Sequence, residues 1–105
     1  MRIAVGSDHA GFEEPPPYYK PAIIDHLVAL GHEVADCGTD GSGAVDYPDI
    51  AGNVCAAILS DEADVGILVC GTGIGISIAA NRHPGIRAAA CTTEEAARLS
   101  RSHND

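Results

Sequence analysis

The chain of 105 residues contains no apolar run near the length of a bilayer span, although 46% of it is hydrophobic. A membrane-crossing helix needs about 20 consecutive apolar residues, so none is expected. The opening MRIAVGSDHAG has neither a long hydrophobic stretch nor a small-residue cleavage site, and a cytoplasmic protein is the expectation. Cysteines at CxxC spacing are missing: Cys37, Cys55, Cys70 and Cys91 lie far apart, which argues against both a zinc site and a disulfide framework. Basic residues are scarce, six against fifteen acidic, for a formal net charge of −9. Non-specific nucleic-acid binding is therefore disfavoured, and a phosphate-bearing ligand would need local positive groups. His9, His26, His32, His83 and His103 show no metal-ligand spacing, so no metal is expected; His26, His32 and His83 read as surface or capping residues. Internal repeats and heptads are absent as well, and the length fits one domain with a real core.

What is present is organised around Val65–Asn81, VGILVCGTGIGISIAAN. Val65, Ile67, Leu68 and Val69 are the kind of β-favouring run shown by a parallel strand buried on both faces. Gly71, Thr72, Gly73 and Gly75 follow, and Ile74, Ile76, Ile78, Ala79 and Ala80 give a helix-compatible stretch that stops at Pro84-Gly85. Strand, glycine turn and helix together offer free backbone N–H groups and a positive dipole end to an anion. The turn is not GxGxxG, since Ile76 stands where the last glycine would be, and no Lys-Ser/Thr pair follows as in a Walker loop. Dinucleotide and triphosphate binding both lose ground. Cys70 sits between strand and helix, where a thiol pKa is lowered; the competing reading is a small core hydrophobe.

Arg2–Gly6 reads as a short strand, followed by the polar loop Ser7–Gly11 at its carboxyl end, the edge where open parallel sheets bind ligands. Asp8 and His9 thus face the same rim as Cys70; capping by Ser7 or Asp8, with His9 in solvent, is the alternative. The prolines of Glu13–Pro21 delay the next helix to near Pro21, with Ala22, Ile23, Leu27 and Leu30 as its apolar face and Gly31 past its end. Glu33–Cys37 is a second strand, Gly38–Tyr47 a mobile surface loop, and Tyr47 either a lid or a packing residue. Pro48 to about Leu59 forms a helix with Ile50, Val54, Ala57 and Ile58 inward and Asp46 or Tyr47 at its cap. Asp61–Asp64 leads into the Val65 strand, taken as the central one. Gly85–Cys91 reads as a fourth strand, and Thr92 with Glu95 as a capping box for a last helix ending near Ser102. This βα alternation predicts parallel strands in a doubly wound, Rossmann-like three-layer α/β/α sandwich.

A thiol at a helix entrance, a nest of amides with Thr72, Asp8-His9 and a terminal His103-Asn104 form a parts list for proton abstraction beside a carbonyl. Enediolate chemistry on a sugar fits; covalent thiol catalysis fits less well, because no third orienting partner is evident.

The stretches SDHAGF (Ser7–Phe12), GHEV-D-GT (Gly31–Thr39), DYPD-A (Asp46–Ala51), CGTGIGISIAANR (Cys70–Arg82), GIRAA (Gly85–Ala89) and ARLSRSHND (Ala97–Asp105) resemble type B ribose-5-phosphate isomerases, in the family that includes the galactose-6-phosphate isomerase subunits. The resemblance implies a cofactor-free aldose–ketose isomerase acting on a sugar phosphate, ribose 5-phosphate to ribulose 5-phosphate, through a cis-enediolate. It makes Cys70 the proton-shuttling base and Gly71, Thr72, Gly73 and Gly75 the anion-stabilising turn. His103 would assist ring opening, with Thr72 and Asp8 nearby; His9 would contact the phosphate, and Tyr47 and Asn104 would line the pocket. It also implies a homodimer or homotetramer. Two departures stand out: EEPPPYYKP replaces a smooth start to the first helix, and family members continue past HND with a strand and a helix bearing phosphate-binding arginines. Residues 1–105 are thus expected to be a single isomerase domain truncated at its C-terminus, and none of Arg2, Lys20, Arg82, Arg87, Arg98 and Arg101 reads as a phosphate clamp at the carboxyl edge. The alternatives are an isomerase of galactose 6-phosphate or allose 6-phosphate, and a non-catalytic sugar-phosphate-binding module.

Overall fold

The computed structural model describes residues 1–38 and 46–104. Most of the Gly38–Tyr47 loop, residues 39–45, and Asp105 lie outside the described residues. Three parallel strands, β1 (Arg2–Ser7), β2 (Glu33–Asp36) and β3 (Val65–Val69), form a sheet in the order β2-β1-β3. The chain leaves β1 for one neighbour, then crosses back over β1 to the other. Right-handed crossovers in opposite directions put their helices on opposite faces. Accordingly, α1 (Tyr19–Ala29) packs on β1 and β2, while α2 (Tyr47–Leu59) packs on β1 and β3 and also against α3 (Ile74–Asn81). The doubly wound α/β arrangement is as expected.

Two corrections concern the sheet. β1 is the central strand, with Ile3 to Ser7 buried, whereas β3 is half-buried throughout. The fourth strand does not form among the described residues: 86–91 carry no ladder pairing. The physical reason is visible at Ala88, whose N–H donates to the Asn81 side-chain oxygen (2.7 Å) and whose carbonyl accepts from the Asn81 amide (2.8 Å). One asparagine thus occupies both backbone groups of Ala88, and among the described residues β3 pairs on one edge only.

Two apolar clusters share α2. Ile50, Ala51 and Cys55 meet Ile76 and Ala80 of α3, and Val54 and Ala57 meet Ala4 and Ala63, with Leu68 touching both groups. The 3.6-residue period of α2 sets two adjacent stripes inward, one toward the sheet and one toward α3. α1 covers its face more thinly: Ala22 and Leu30 are exposed, contrary to expectation, and its one buried residue is Lys20. Leu30 and Gly31 close α1, Gly31 at φ 91°.

The last helix, α4 (Glu94–Asn104), buries no residue. Its cap is Thr93 rather than Thr92: Thr93 Oγ1 accepts from Ala96 N–H at 3.0 Å, and Glu95 turns to Arg98 instead of back to a cap.

Candidate active site

The carboxyl ends of β1 and β3 lie side by side where the direction of the crossovers reverses, the switch point at which such sheets bind ligands. Asp8 N–H donates to Val69 O at 3.1 Å, so the loop leaving β1 is tied to the last residue before Cys70. Asp8 itself is buried and caps a short 3-10 turn, η1 (His9–Phe12), accepting from Ala10 N–H at 2.8 Å. The capping role weighed for Asp8 is therefore real. His9 opens the turn half-buried, and its Nδ1 is buried with no hydrogen-bond partner among the described residues; the same holds for Ser7 Oγ beneath it.

On the β3 side the glycine turn behaves as its sequence requires. Gly73 caps α3 in the left-handed conformation, φ 79°, and this bend aims its N–H at Cys70 Sγ, 3.2 Å away. Cys70 is half-buried, against the α2–α3 cluster. It thus packs like a core residue on one side while its sulfur takes an amide donor on the other, so the two competing readings describe different faces of one side chain. Thr72 Oγ1 accepts from Ile74 N–H at 3.1 Å and so closes the first turn of α3. Side chains added at Gly71 or Gly73 would meet nothing within 4 Å: the turn is open outward. Tyr47, from the start of α2, lies over Gly75, where an added Cβ would come 3.0 Å from the ring. Tyr47 is 40% exposed, so it borders the turn without being sealed in the core.

The structure thus gathers Asp8, His9, Cys70, Thr72, Gly71, Gly73, Gly75 and Tyr47 on one rim. His103 and Asn104 are not tied to this rim. They are exposed at the end of α4, and among the described residues no hydrogen bond or ion pair links them to the turn. The residue that sequence reasoning passed over is Lys20. Only 1% exposed, it forms an ion pair with Asp36 at the carboxyl end of β2 and lies 5.6 Å from the centroid of the Phe12 ring. A lysine two positions into a helix after a proline run carries no signal of burial; only the spatial meeting with Phe12 and Asp36 reveals it.

Elsewhere, Arg2 binds both oxygens of Asp64 and the Asp61 carbonyl at the opposite, amino edge of the sheet. Arg2 hydrogen bonds hold the Asp64 carboxyl down at about 2. Burial pushes the Cys37 and Cys55 thiols up, as for inert structural cysteines. Among the described residues no three His, Cys, Asp or Glu side chains converge as a metal site, and no helix is long and apolar enough to cross a membrane.

Sheet order, an open amide turn at the switch point and a thiol beside it define a doubly wound α/β protein with a candidate site at the carboxyl edge of its sheet. The family model described as Ribose/Galactose Isomerase matches residues 3–105. Ribose-5-phosphate isomerase B of Escherichia coli is 51% identical over 104 residues, 99% of this chain and 66% of that protein. Among solved structures, ribose-5-phosphate isomerase B of Clostridium thermocellum superposes with a TM-score of 0.90 at 53% identity, covering 99% of this chain and 67% of that one. The Thermotoga maritima enzyme gives 0.89 at 54%, covering 98% and 68%. The chain belongs to the ribose/galactose isomerase family and spans about two thirds of the length of the relatives it matches.

Proposed function

We propose that the chain is a single sugar-phosphate isomerase domain of a cytoplasmic, homodimeric or homotetrameric enzyme that interconverts ribose 5-phosphate and ribulose 5-phosphate. The observation that carries this reading is the Gly73 N–H donating to Cys70 Sγ across an outward-open glycine turn at the start of α3. In the open-chain aldose, the Cys70 thiolate removes the C2 proton. The C–H electron pair forms the C1–C2 double bond of a cis-enediolate, and the carbonyl electrons move onto O1. The Gly71 amide and the helix dipole stabilise that oxyanion, while the Gly73 N–H stays on Cys70 Sγ. Return of the proton from Cys70 to C1, with the O2 proton passing to O1, leaves the ketose; no oxidant and no cofactor enter the balance. His9 is assigned to the phosphate, Asp8, Gly75 and Tyr47 to lining the pocket, and Thr72 to ring opening; the resemblance adds His103 to ring opening and Asn104 to the pocket, although both stand exposed at the end of α4, unlinked to this rim among the described residues.

The test is conversion of ribose 5-phosphate by the wild-type chain and by Cys70→Ala. Loss of general-base catalysis lowers kcat by about 10²–10⁴-fold; undiminished turnover by Cys70→Ala would discard the thiol base. The family description names galactose beside ribose, so galactose 6-phosphate belongs on the same substrate panel. Turnover of that sugar alone would transfer the reading to the hexose phosphate.

A further inference from the structure

Lys20 is the largest fully buried side chain of the described residues, and it is a cation. Withdrawing an ammonium from water costs several kcal/mol, and a well-packed apolar residue of similar volume commonly serves a fold as well or better. Its surroundings show what the charge does. Asp36, half-exposed at the end of β2, pairs with it, and the Phe12 ring lies across it. Further back, the Lys20 stem lies under Gly11: a Cβ at Gly11 would fall 3.0 Å from Lys20 Cβ and 2.3 Å from Ser7 Oγ. Residues 11 and 12 are the second half of η1, whose first half is His9 and Ala10 and whose cap is Asp8. One side chain thus underlies the turn with its stem and reaches its end and the β2 rim with its ammonium.

We propose that Lys20 is a positioning residue for the ligand-binding corner at Asp8 and His9: by clasping η1 to β2 it fixes where His9 stands on the rim, and so sets affinity for the anionic end of the substrate without touching it. Because Asp36 is half-exposed, loss of its partner leaves a carboxylate that water can solvate, and Lys20→Met is expected to fold. The corner above it is expected to loosen.

The experiment compares the wild-type chain with Lys20→Met in two readouts. Native-state amide exchange at Ala10 and Gly11, which donate to Asp8 Oδ1 and Asp8 O, is expected to accelerate about tenfold while the β1 amides stay protected. The KM for ribose 5-phosphate is expected to rise about fivefold with kcat held within about twofold, the sign of lost substrate binding rather than lost chemistry. A folded Lys20→Met with wild-type exchange at Ala10 and Gly11, or with reduced kcat at unchanged KM, overturns the proposal. Should Lys20→Met fail to fold, Asp36→Asn undergoes the same two measurements under the same criteria. The KM arm rests on the isomerase reading and the exchange arm does not: if the wild type fails to convert ribose 5-phosphate, that reading falls, and exchange alone decides for or against Lys20.

Discussion

At the scale of single residues, one position at the candidate site and one at the opposite edge of the sheet contribute to stability in different ways. Gly73 adopts φ 79°, yet a Cβ there would meet nothing within 4 Å. Only backbone strain therefore opposes a side chain, and Gly73→Ala is expected to lose about 1–2 kcal/mol in urea denaturation. Relaxation of that strain would turn the residue 73 N–H away from Cys70, so activity should fall by more than the stability loss alone would produce. Asp64 shows a different dependence. Its folded pKa of about 2 lies below the ordinary carboxylate value near 4, so its contribution is complete above that ordinary value and disappears as pH falls through about 2. The difference in urea midpoint between wild type and Asp64→Asn should accordingly be constant near neutrality and shrink from about pH 4 to about pH 2. Both residues could be read only partly from the sequence. A glycine turn was evident, but the pairing of Arg2 with Asp64 joins residues 62 positions apart, and no local pattern announces it.

Elements that follow local rules were legible, and those that depend on a partner were not. β3 has the expected bounds, Val65–Val69, and α2 begins one residue before Pro48, because periodicity and proline placement act within a few residues. The segment 86–91, IRAAAC, is apolar but rich in alanine, which favours strands little; a strand also requires a ladder, and Asn81 occupies the backbone of Ala88. Asn81→Ala removes two hydrogen bonds and should cost about 1–2 kcal/mol in thermal or urea unfolding. At the start of α4 the sequence offers two adjacent threonines; the structure chooses Thr93. Because α4 buries nothing, its cap matters more than it would for a docked helix. Thr93→Ala should cost about 1 kcal/mol of helix stability, read as lost helical circular dichroism on warming, and Thr92→Ala should leave the signal in place.

Across the whole molecule, α2 ties the two apolar clusters together, and Ile76 carries α3, with the turn it begins, into one of them. Ile76→Ala should therefore cost about 2–5 kcal/mol and still give one cooperative transition, because the helix it loosens shares α2 with the rest of the core. The rim was legible at this scale because βα alternation fixes which loops reach the carboxyl edge. The central strand was misjudged: β3 has the richer apolar run, but centrality is decided by how many neighbours a strand pairs with, and among the described residues β1 alone has two.

The bond from Asp8 N–H to Val69 O is the final rung between β1 and β3. The two halves of the candidate site therefore meet at the terminus of β1, the most buried strand among the described residues. Loss of the sheet therefore separates the two halves: heat or denaturant should extinguish ligand binding no later than the signal that reports the sheet, whatever local opening η1 undergoes by itself.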